Sequence, residues 1–351
     1  MQEEGRTRPW VLTALRMLLL AAVLGVVLQG PWASAASAVK TVVPLGRAVG
    51  IKLFSDGVMV VGLSEVSTAA GSQAPARDCG LQEGDIITHI NSTEVDTVEE
   101  VQSILQDLEG ETMSIRAVRG EDQVQMTAQA VQCSADGAYK LGAWIRDSMA
   151  GIGTLTFYDP DTGAFGALGH GVSDVDTAQL MPLQSGSIMY ATVSTVQKGA
   201  VGAPGQLQGD FQVNRDLGEL WSNTSQGIFG SLTDETLTQG TPVEVARRDQ
   251  VQVGKAQILS NIAGDRVETY EVEITHVYPE KEGDDREMML KVTDPRLLET
   301  TGGIVQGMSG SPILQNGRIV GAVTHVLVND PTQGYGILME TMLDAAEGTA
   351  T

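Results

Sequence analysis

The sequence predicts a mainly β protein with one small α/β module in its N-terminal third. Forty-one glycines among 351 residues, against five Phe, six Tyr and four Trp, indicate many tight turns. Six short apolar segments with glycine-rich punctuation lie between residues 153 and 323, and no long amphipathic pattern interrupts them. Repeated short strands of this kind are typical of a sandwich or a barrel.

The composition excludes several classes of partner and cofactor. A formal net charge of −22 argues against nucleic acid, whose affinity comes from cations that neutralise phosphates, and disfavours broad contact with anionic lipid. Cys79 and Cys133 form no C-x-x-C pair and have no histidine at ligand spacing, so we expect no metal and no cofactor. The two thiols either pair as a disulfide or stay free and half-buried.

Residues 1–38 carry the pattern of a targeting segment. Three arginines precede an uninterrupted apolar run, Met17–Leu28, and two A-x-A patterns end at Ala35 and Ala38. The run is shorter than the roughly 20 residues that a spanning helix needs. We therefore predict a cleaved signal peptide and an exported protein, with a signal anchor as the alternative.

Residues 44–132 predict a compact α/β module. The stretch Gly80–Ile87 reads G-L-Q-E-G-D-I-I, and apolar residues with helical spacing follow over Val98–Leu108. This order resembles a PDZ domain, in which a strand edge beside a helix accepts an extended peptide as an added strand. The resemblance implies a carboxylate-binding loop formed by Gly50, Ile51, Lys52 and Leu53. His89 lies inside this module and is interpreted as structural.

Ser309 is the candidate nucleophile. It lies in a glycine-rich loop, two residues after Gly307 and directly before Gly310. A serine hydroxyl needs a base within hydrogen-bond reach, and the attacked carbonyl needs amide donors where its oxygen becomes negative. The glycines allow the amides of Gly307 and Ser309 to converge as an oxyanion hole. The alternative is an ordinary Gly-Ser turn between two strands.

His170 is the candidate base, because a histidine flanked directly by two glycines suits a site better than a packed core. His276 lies in an alternating strand and is interpreted as exposed. His325 follows the serine loop and either lines the pocket or sits at the edge of the core.

Two aspartates compete for the role of orienting acid. Asp294 ends a predicted strand upstream of Ser309 and is favoured over Asp174, which lies just after His170. The chain order His, Asp, Ser differs from the order Ser, Asp, His of the α/β-hydrolases, and Ser311 breaks their G-x-S-x-G pattern.

Several stretches of the chain, including those around His170 and Ser309, resemble the SpoIVB peptidase family of endospore-forming bacteria. The matching stretches are Gly166–Asp174, Ala203–Phe211, Asp294, Thr301–Gly317, Gly321–Val326 and Asn329–Pro331. The resemblance implies a chymotrypsin-like double β-barrel over residues 139–345, with His170 as base, Asp294 as acid and Ser309 as nucleophile. The interval from Asp294 to Ser309 is much shorter than in digestive serine proteases.

The resemblance also implies a role. It implies self-cleavage, secretion across the forespore membrane into the intermembrane space, and cleavage of a membrane-bound inhibitor of the protease that processes pro-sigma-K. Two other functions stay open at this point. One is an exported PDZ adaptor with an inactive barrel; the other is a general envelope quality-control protease, in which the PDZ module usually follows the protease domain. The PDZ ligand, the cleavage preference and the oligomeric state are left open.

Overall fold

The computed structural model describes residues 39–279 and 285–349, so the predicted signal segment, residues 1–38, lies outside the described residues. The described chain opens with β1, Thr41–Leu63, a strand of 23 residues whose last part enters the PDZ module. The other elements of the N-terminal third are β2 Val66–Thr68, β3 Gly71–Gln73, α1 Pro75–Asp78, β4 Ile86–Ile90, β5 Thr93–Glu94, α2 Val98–Asp107, β6 Thr112–Arg119, β7 Asp122–Gln129, β8 Val131–Gln132 and β9 Tyr139–Lys140.

Local sequence explains the PDZ module. Helix α2 begins at a reciprocal cap, in which Thr97 Oγ1 accepts from the Glu100 amide and the Glu100 carboxylate accepts from the Thr97 amide. In the G-L-Q-E-G-D stretch, the fully buried Asp85 accepts from the Gln82 amide at 2.9 Å and pairs with the Arg119 guanidinium at 2.7 Å. The signature therefore builds a turn in which a buried charge is fully paired. The predicted helix is confirmed.

Six strands close the first β-barrel. After β1 come β10 Ala143–Tyr158, β11 Ala164–Ala167, β12 Ser185–Gln197, β13 Gln206–Thr224, β14 Gly227–Leu232 and the short β15 Val243–Glu244. The pairing runs β1-β10-β11-β14-β13-β12 and returns from β12 to β1, so the sheet closes on itself. Its interior is filled by fully buried apolar side chains, among them Val49, Leu155, Phe165, Ile188 and Ile228.

The second barrel consists of β16 Gly254–Ala263, β17 Arg266–Val277, β18 Met288–Val292, β19 Pro312–Gln315, β20 Arg318–Val326 and β21 Gln333–Leu338. It is closed in the order β16-β17-β18-β21-β20-β19. In β17 the buried Tyr270, Val272 and Ile274 alternate with exposed glutamates, which is the period-2 pattern of a strand with one buried face. The chymotrypsin-like double β-barrel that the resemblance implied is confirmed by these two rings.

Helices are few. Helix α3, Pro295–Thr301, precedes the serine loop, and α4, Met339–Thr349, ends the described chain. In the described part of the chain, none of the helices combines the length and the apolar character needed to cross a membrane.

Strand β1 corrects two predictions. The segment Gly50–Leu53 is a central stretch of β1, paired with β10 on one side and with β12 on the other. A strand hydrogen-bonded at both edges has no free groups for a peptide, so the predicted carboxylate-binding loop at Gly50, Ile51, Lys52 and Leu53 is wrong. Residues 44–54, predicted as part of the PDZ module, also belong to the first barrel.

The two cysteines are free thiols. Cys133 is buried, and Cys79 is half-buried with its thiol donating to the Ala76 carbonyl at 3.1 Å. Of the two alternatives that the sequence left open, the structure shows the unpaired one.

Candidate active site

A cleft of about 740 Å³ brings Ser309 and His170 together. Its walls come from both barrels. The first barrel contributes Ile51, Ile152, Leu168 and His170, and the second contributes Asp285, Gly307, Ser309, Thr324 and His325. The two residues that the sequence singled out as base and nucleophile thus face one space.

The serine loop is clamped onto strand β10. The Ser309 carbonyl accepts from the Thr154 amide at 3.0 Å, and the Gly307 carbonyl accepts from Thr154 Oγ1 at 2.8 Å. Gly310 has φ +94°, and a Cβ there would lie 2.1 Å from the Thr154 carbonyl oxygen. Only glycine tolerates both that conformation and that approach. The loop sequence is therefore dictated by its contact with β10.

The amides of Gly307 and Ser309 are free to act as oxyanion donors. The Gln306 carbonyl accepts from an amide of β13 at 2.8 Å, and the Met308 carbonyl accepts from Ser311 at 2.9 Å. In a trans peptide the N–H points opposite to the carbonyl, so the next amide in each case points away from these partners. Neither amide has an acceptor in the described part of the chain, and both residues line the cleft.

The Ser309 hydroxyl has a partner other than His170. Its Oγ donates to the Thr324 carbonyl at 2.7 Å. A carbonyl oxygen cannot accept the proton that the nucleophile must lose. This hydrogen bond must therefore break before His170 can deprotonate the hydroxyl.

His170 is positioned by a tight turn at the end of β11. The Gly169 amide donates to the Ala167 carbonyl at 2.9 Å, and both Leu168 and Gly169 have positive φ, +69° and +71°. A leucine in this conformation is strained, as active-site turns often are. The turn directs the next residue, His170, into the cleft.

The imidazole of His170 is set up as a base. Its Nδ1 lies 2.9 Å from the Gly171 carbonyl oxygen. Since a carbonyl only accepts, Nδ1 carries the proton and Nε2 has the free lone pair. Burial lowers the pKa of His170 below its ordinary value, although the Gly171 bond and the Asp285 charge oppose that shift.

His325 lines the cleft beside His170, which decides between the two interpretations that the sequence allowed. The ring centroids are 5.0 Å apart, and His325 Nδ1 lies 3.5 Å from Asp285 Oδ2. Burial, and next the neighbouring His170, lower the pKa of His325. The cleft therefore holds two imidazoles that favour the neutral form, with one carboxylate next to them.

Asp294 is not brought to His170. It caps helix α3 through the Arg296 amide at 2.9 Å, accepts from the Glu271 amide at 3.2 Å and pairs with the Arg296 guanidinium at 2.8 Å. The guanidinium bond is the main reason that the pKa of Asp294 falls to about 2. Asp294 is absent from the cleft walls. The structure thus gives its carboxylate a capping role and no contact with the predicted base.

The rival, Asp174, also has other partners. Its carboxylate is buried, pairs with the Arg146 guanidinium and accepts from the amides of Asp176 and Thr177. These bonds shape the loop that follows His170. Of the two candidate acids, neither contacts the imidazole.

Thr154, Asp285 and Thr324 are site residues that the sequence did not indicate. Thr154 comes from the middle of β10, and the other two come from the second barrel. None has a local signal such as flanking glycines, because each reaches the site through tertiary packing. Among the described residues, no group of three or more His, Cys, Asp or Glu side chains is arranged to hold a metal ion.

Comparison with known proteins gives two family matches. The sequence profile of SpoIVB peptidase S55 matches residues 137–343, and that of a PDZ domain matches residues 66–119. The comparison with curated proteins gives no match.

Three solved structures illustrate the similarity. The PDZ domain of the SdrC-like protein from Listeria monocytogenes is 24% identical, over 26% of this chain and 87% of that one, with a TM-score of 0.21. The Rv3671c protease of M. tuberculosis, in an inactive form, is 12% identical over 58% of this chain and 85% of that one, with a TM-score of 0.33. The HtrA-type protease AlgW with a decapeptide is 9% identical over 87% of this chain and 65% of that one, with a TM-score of 0.35.

Proposed function

The chain belongs to the SpoIVB peptidase S55 family and is a PDZ-containing serine endopeptidase, and from this premise we propose that Ser309 is its nucleophile and His170 its general base. One observation carries the proposal: the two side chains line the same cleft as the two unbonded amides of Gly307 and Ser309. Nucleophile, base and oxyanion donors are the parts that acyl transfer requires.

The reaction follows from these positions. Once released from Thr324, the Ser309 hydroxyl gives its proton to His170 Nε2 as Oγ attacks the scissile carbonyl. The amides of Gly307 and Ser309 stabilise the oxyanion, and His170 then protonates the leaving amine. Water, activated by the same histidine, hydrolyses the acyl-enzyme.

A backbone carbonyl orients the base. The Gly171 carbonyl holds the required tautomer of His170, as the carboxylate of a triad does. Being neutral, it stabilises the imidazolium less than a carboxylate would. The proposed catalytic unit is therefore a Ser–His pair in which a backbone carbonyl orients the histidine. A catalytic role of Asp294 stays a prediction, and the contacts of its carboxylate do not support it.

Labelling with a fluorophosphonate tests the assignment. The unaltered protein should form one adduct at Ser309, and Ser309→Ala and His170→Ala should lose both adduct and peptide hydrolysis. Ser311→Ala is the matched control, because Ser311 lies in the same loop as Ser309. The Ser311 hydroxyl is buried against Ser260 of β16, so it should be dispensable for labelling and hydrolysis. Absence of any Ser309 adduct in the unaltered, folded protein would favour the adaptor with an inactive barrel.

We further propose that the peptidase acts in sporulation signalling. The family membership and the predicted signal segment support an exported, self-cleaving enzyme that relieves inhibition of the membrane protease processing pro-sigma-K. Its proposed substrates are itself and the membrane-bound inhibitor of that protease, in the space between the forespore membranes.

N-terminal sequencing of the exported forms tests this role. The unaltered protein should show internal cleavage sites that Ser309→Ala lacks, whereas the signal-peptidase site should be common to both. Identical processing in the two proteins would contradict self-cleavage. Broad digestion of unfolded casein would favour the quality-control protease instead.

A further inference from the structure

The side chain of Asn223, on strand β13, holds the main chain that follows His170. Its Oδ1 accepts from the Val172 amide at 2.8 Å. Its Nδ2 donates to the Val172 carbonyl at 2.9 Å and to the Met181 carbonyl at 2.8 Å. The opposite orientation of the side-chain amide would place its two donors against an N–H and its oxygen against two carbonyls. The chemistry of the partners therefore fixes Oδ1 as the atom that faces the Val172 amide.

The bond to the Val172 amide links Asn223 to the imidazole of His170. The Val172 N–H and the Gly171 carbonyl belong to one trans peptide group, so they point in opposite directions. The N–H meets Asn223, and the carbonyl oxygen lies 2.9 Å from His170 Nδ1. Because the peptide is planar, a bond that holds its N–H also restricts the direction of its carbonyl. Asn223 therefore sets the position of the oxygen that accepts the Nδ1 proton.

Gly171 allows the turn after His170 to lie this close to β13. A Cβ at Gly171 would lie 2.7 Å from the carbonyl oxygen of Thr224, the residue that follows Asn223 in β13. The same Cβ would lie 2.2 Å from Leu180 Cδ1. A larger residue would push the turn away from β13 and lengthen its bonds to Asn223. One of the two glycines that marked the histidine as a candidate is thus required by the contact with this strand.

Asn223 acts on the base through the peptide alone. The described residues that line the cleft include Gly171 and Val172 but not Asn223. Hydrogen bonds in a chain polarise one another, so a peptide whose N–H is bonded has a carbonyl that accepts more strongly. The chain from Asn223 Oδ1 through the peptide to Nδ1 thus strengthens a neutral acceptor at the place where a triad has its carboxylate.

We propose that Asn223 is a positioning residue for the base. It holds the peptide between Gly171 and Val172 so that the carbonyl keeps the proton of His170 on Nδ1. Nε2 then stays free to take the proton of the nucleophile. The proposal rests on the proposed function of His170 as general base. Because Asn223 lies outside the cleft, its loss should act on kcat and not on KM.

Asn223→Ala removes the whole side-chain amide. We expect kcat for peptide hydrolysis to fall about five- to tenfold, the equivalent of one hydrogen bond, with KM unchanged. Asn261→Ala is the matched control, because Asn261 is a buried asparagine whose Nδ2 also donates to main-chain carbonyls, those of Ala263, Gly264 and Arg266. The control should lower the melting temperature and leave kcat of the folded enzyme unchanged. An unchanged kcat in folded Asn223→Ala would overturn the proposal.

Asn223→Asp separates positioning of the base from bracing of the loop. The aspartate keeps an oxygen for the Val172 amide, but its second oxygen faces the Val172 and Met181 carbonyls and repels them. If Asn223 only braces the loop, the aspartate should lower kcat at least as much as alanine does. We expect instead that Asn223→Asp recovers most of the kcat lost in Asn223→Ala, although its melting temperature should be no higher. Equal losses of kcat in the two folded variants would contradict the positioning role.

Nuclear magnetic resonance of isotope-labelled histidine tests the placement without catalysis. In folded Ser309→Ala protein at neutral pH, His170 should carry its proton on Nδ1, and this proton should exchange slowly with water. Adding Asn223→Ala should make the exchange faster. A His170 protonated on Nε2 would overturn the proposal without any change at Asn223. If the proton lies on Nδ1 but Ser309 of the unaltered protein does not react with a fluorophosphonate, the proposed function fails while the placement of the imidazole stands.

Discussion

His170 shows how the site works at the scale of single residues. In the proposed mechanism the neutral imidazole is the base, and burial lowers its pKa below the ordinary value of about 6.5. Activity should therefore persist below pH 6.5 and fall only as the pH drops through the lowered pKa. The acidic limb of kcat/KM against pH measures this, and a midpoint above 6.5 would contradict it. In Asp285→Asn, which removes a charge that raises this pKa, the limb should move to still lower pH.

Ser309 and His170 could be selected as candidates because the glycines that shape their turns lie next to them in the sequence. Asp294 could not be assigned in the same way. An aspartate before a proline is also the pattern of a helix start, with Asp as N-cap and Pro at the first helical position. Local sequence cannot distinguish that use from the acid of a triad, and in the structure the capping use prevails.

Asp294→Asn should therefore affect stability before activity. The pKa of Asp294 is about 2, below the ordinary value of about 3.9, so its charge stabilises the fold above pH 4 and this contribution is lost as the pH falls towards 2. We expect the free energy of unfolding at neutral pH to drop by about 1–3 kcal/mol in denaturant titrations. Labelling of Ser309 in the folded variant should be unchanged, and its loss would return Asp294 to the catalytic unit. Asp249→Asn, in an exposed ion pair with Arg247, is the neutral control.

At the scale of elements, β1 and β10 decide the architecture. Strand β1 contains the segment that was predicted as the Gly50–Leu53 loop and continues into the PDZ module, with a shift in its pairing to β10 between Phe54 and Met59. The paired residues of β1 and β10 lie 80 to 115 residues apart in the chain. A pairing over that distance leaves no local pattern, and this is why the predicted domain boundary and the Gly50–Leu53 loop were misplaced.

Strand β10 also anchors the loop that follows His170. Arg146 pairs with the buried Asp174 and with Asp176 at 2.9 Å. Arg146→Ala should lower the free energy of unfolding by about 2 kcal/mol. This is less than the loss expected when a fully buried ion pair is broken, because the amide bonds to Asp174 remain. Amide hydrogen exchange over residues 173–181 should become faster. Arg247→Ala, whose partner is exposed, should change neither quantity. Unchanged exchange in Arg146→Ala would show that the loop holds its conformation without this pair.

At the largest scale, the described part of the chain consists of two barrels that build one site where they touch, and the PDZ module is attached to the first barrel through β1. The PDZ domain and the double barrel were predicted from motifs and resemblance and are confirmed. The connection between them was not predicted. A strand shared by a barrel and the PDZ module has the same alternating pattern as a strand that belongs to only one of them. The Ser309 loop meets Thr154 of β10 where the two barrels touch, so activity and the fit between the barrels should fail together.

Gly310→Ala tests that dependence. Its Cβ would lie 2.1 Å from the Thr154 carbonyl oxygen and 2.6 Å from the Leu168 nitrogen, both backbone atoms of the first barrel, at φ +94°. The loop must move to relieve this overlap, so we expect loss of Ser309 labelling and a lower melting temperature. Gly317→Ala is the matched control, because its φ is also positive, +77°, but no atom lies within 4 Å of the added Cβ. It should cost only the backbone strain of about 1 kcal/mol and keep full labelling. Equal labelling in the two variants would mean that the nucleophile does not depend on the fit between the barrels.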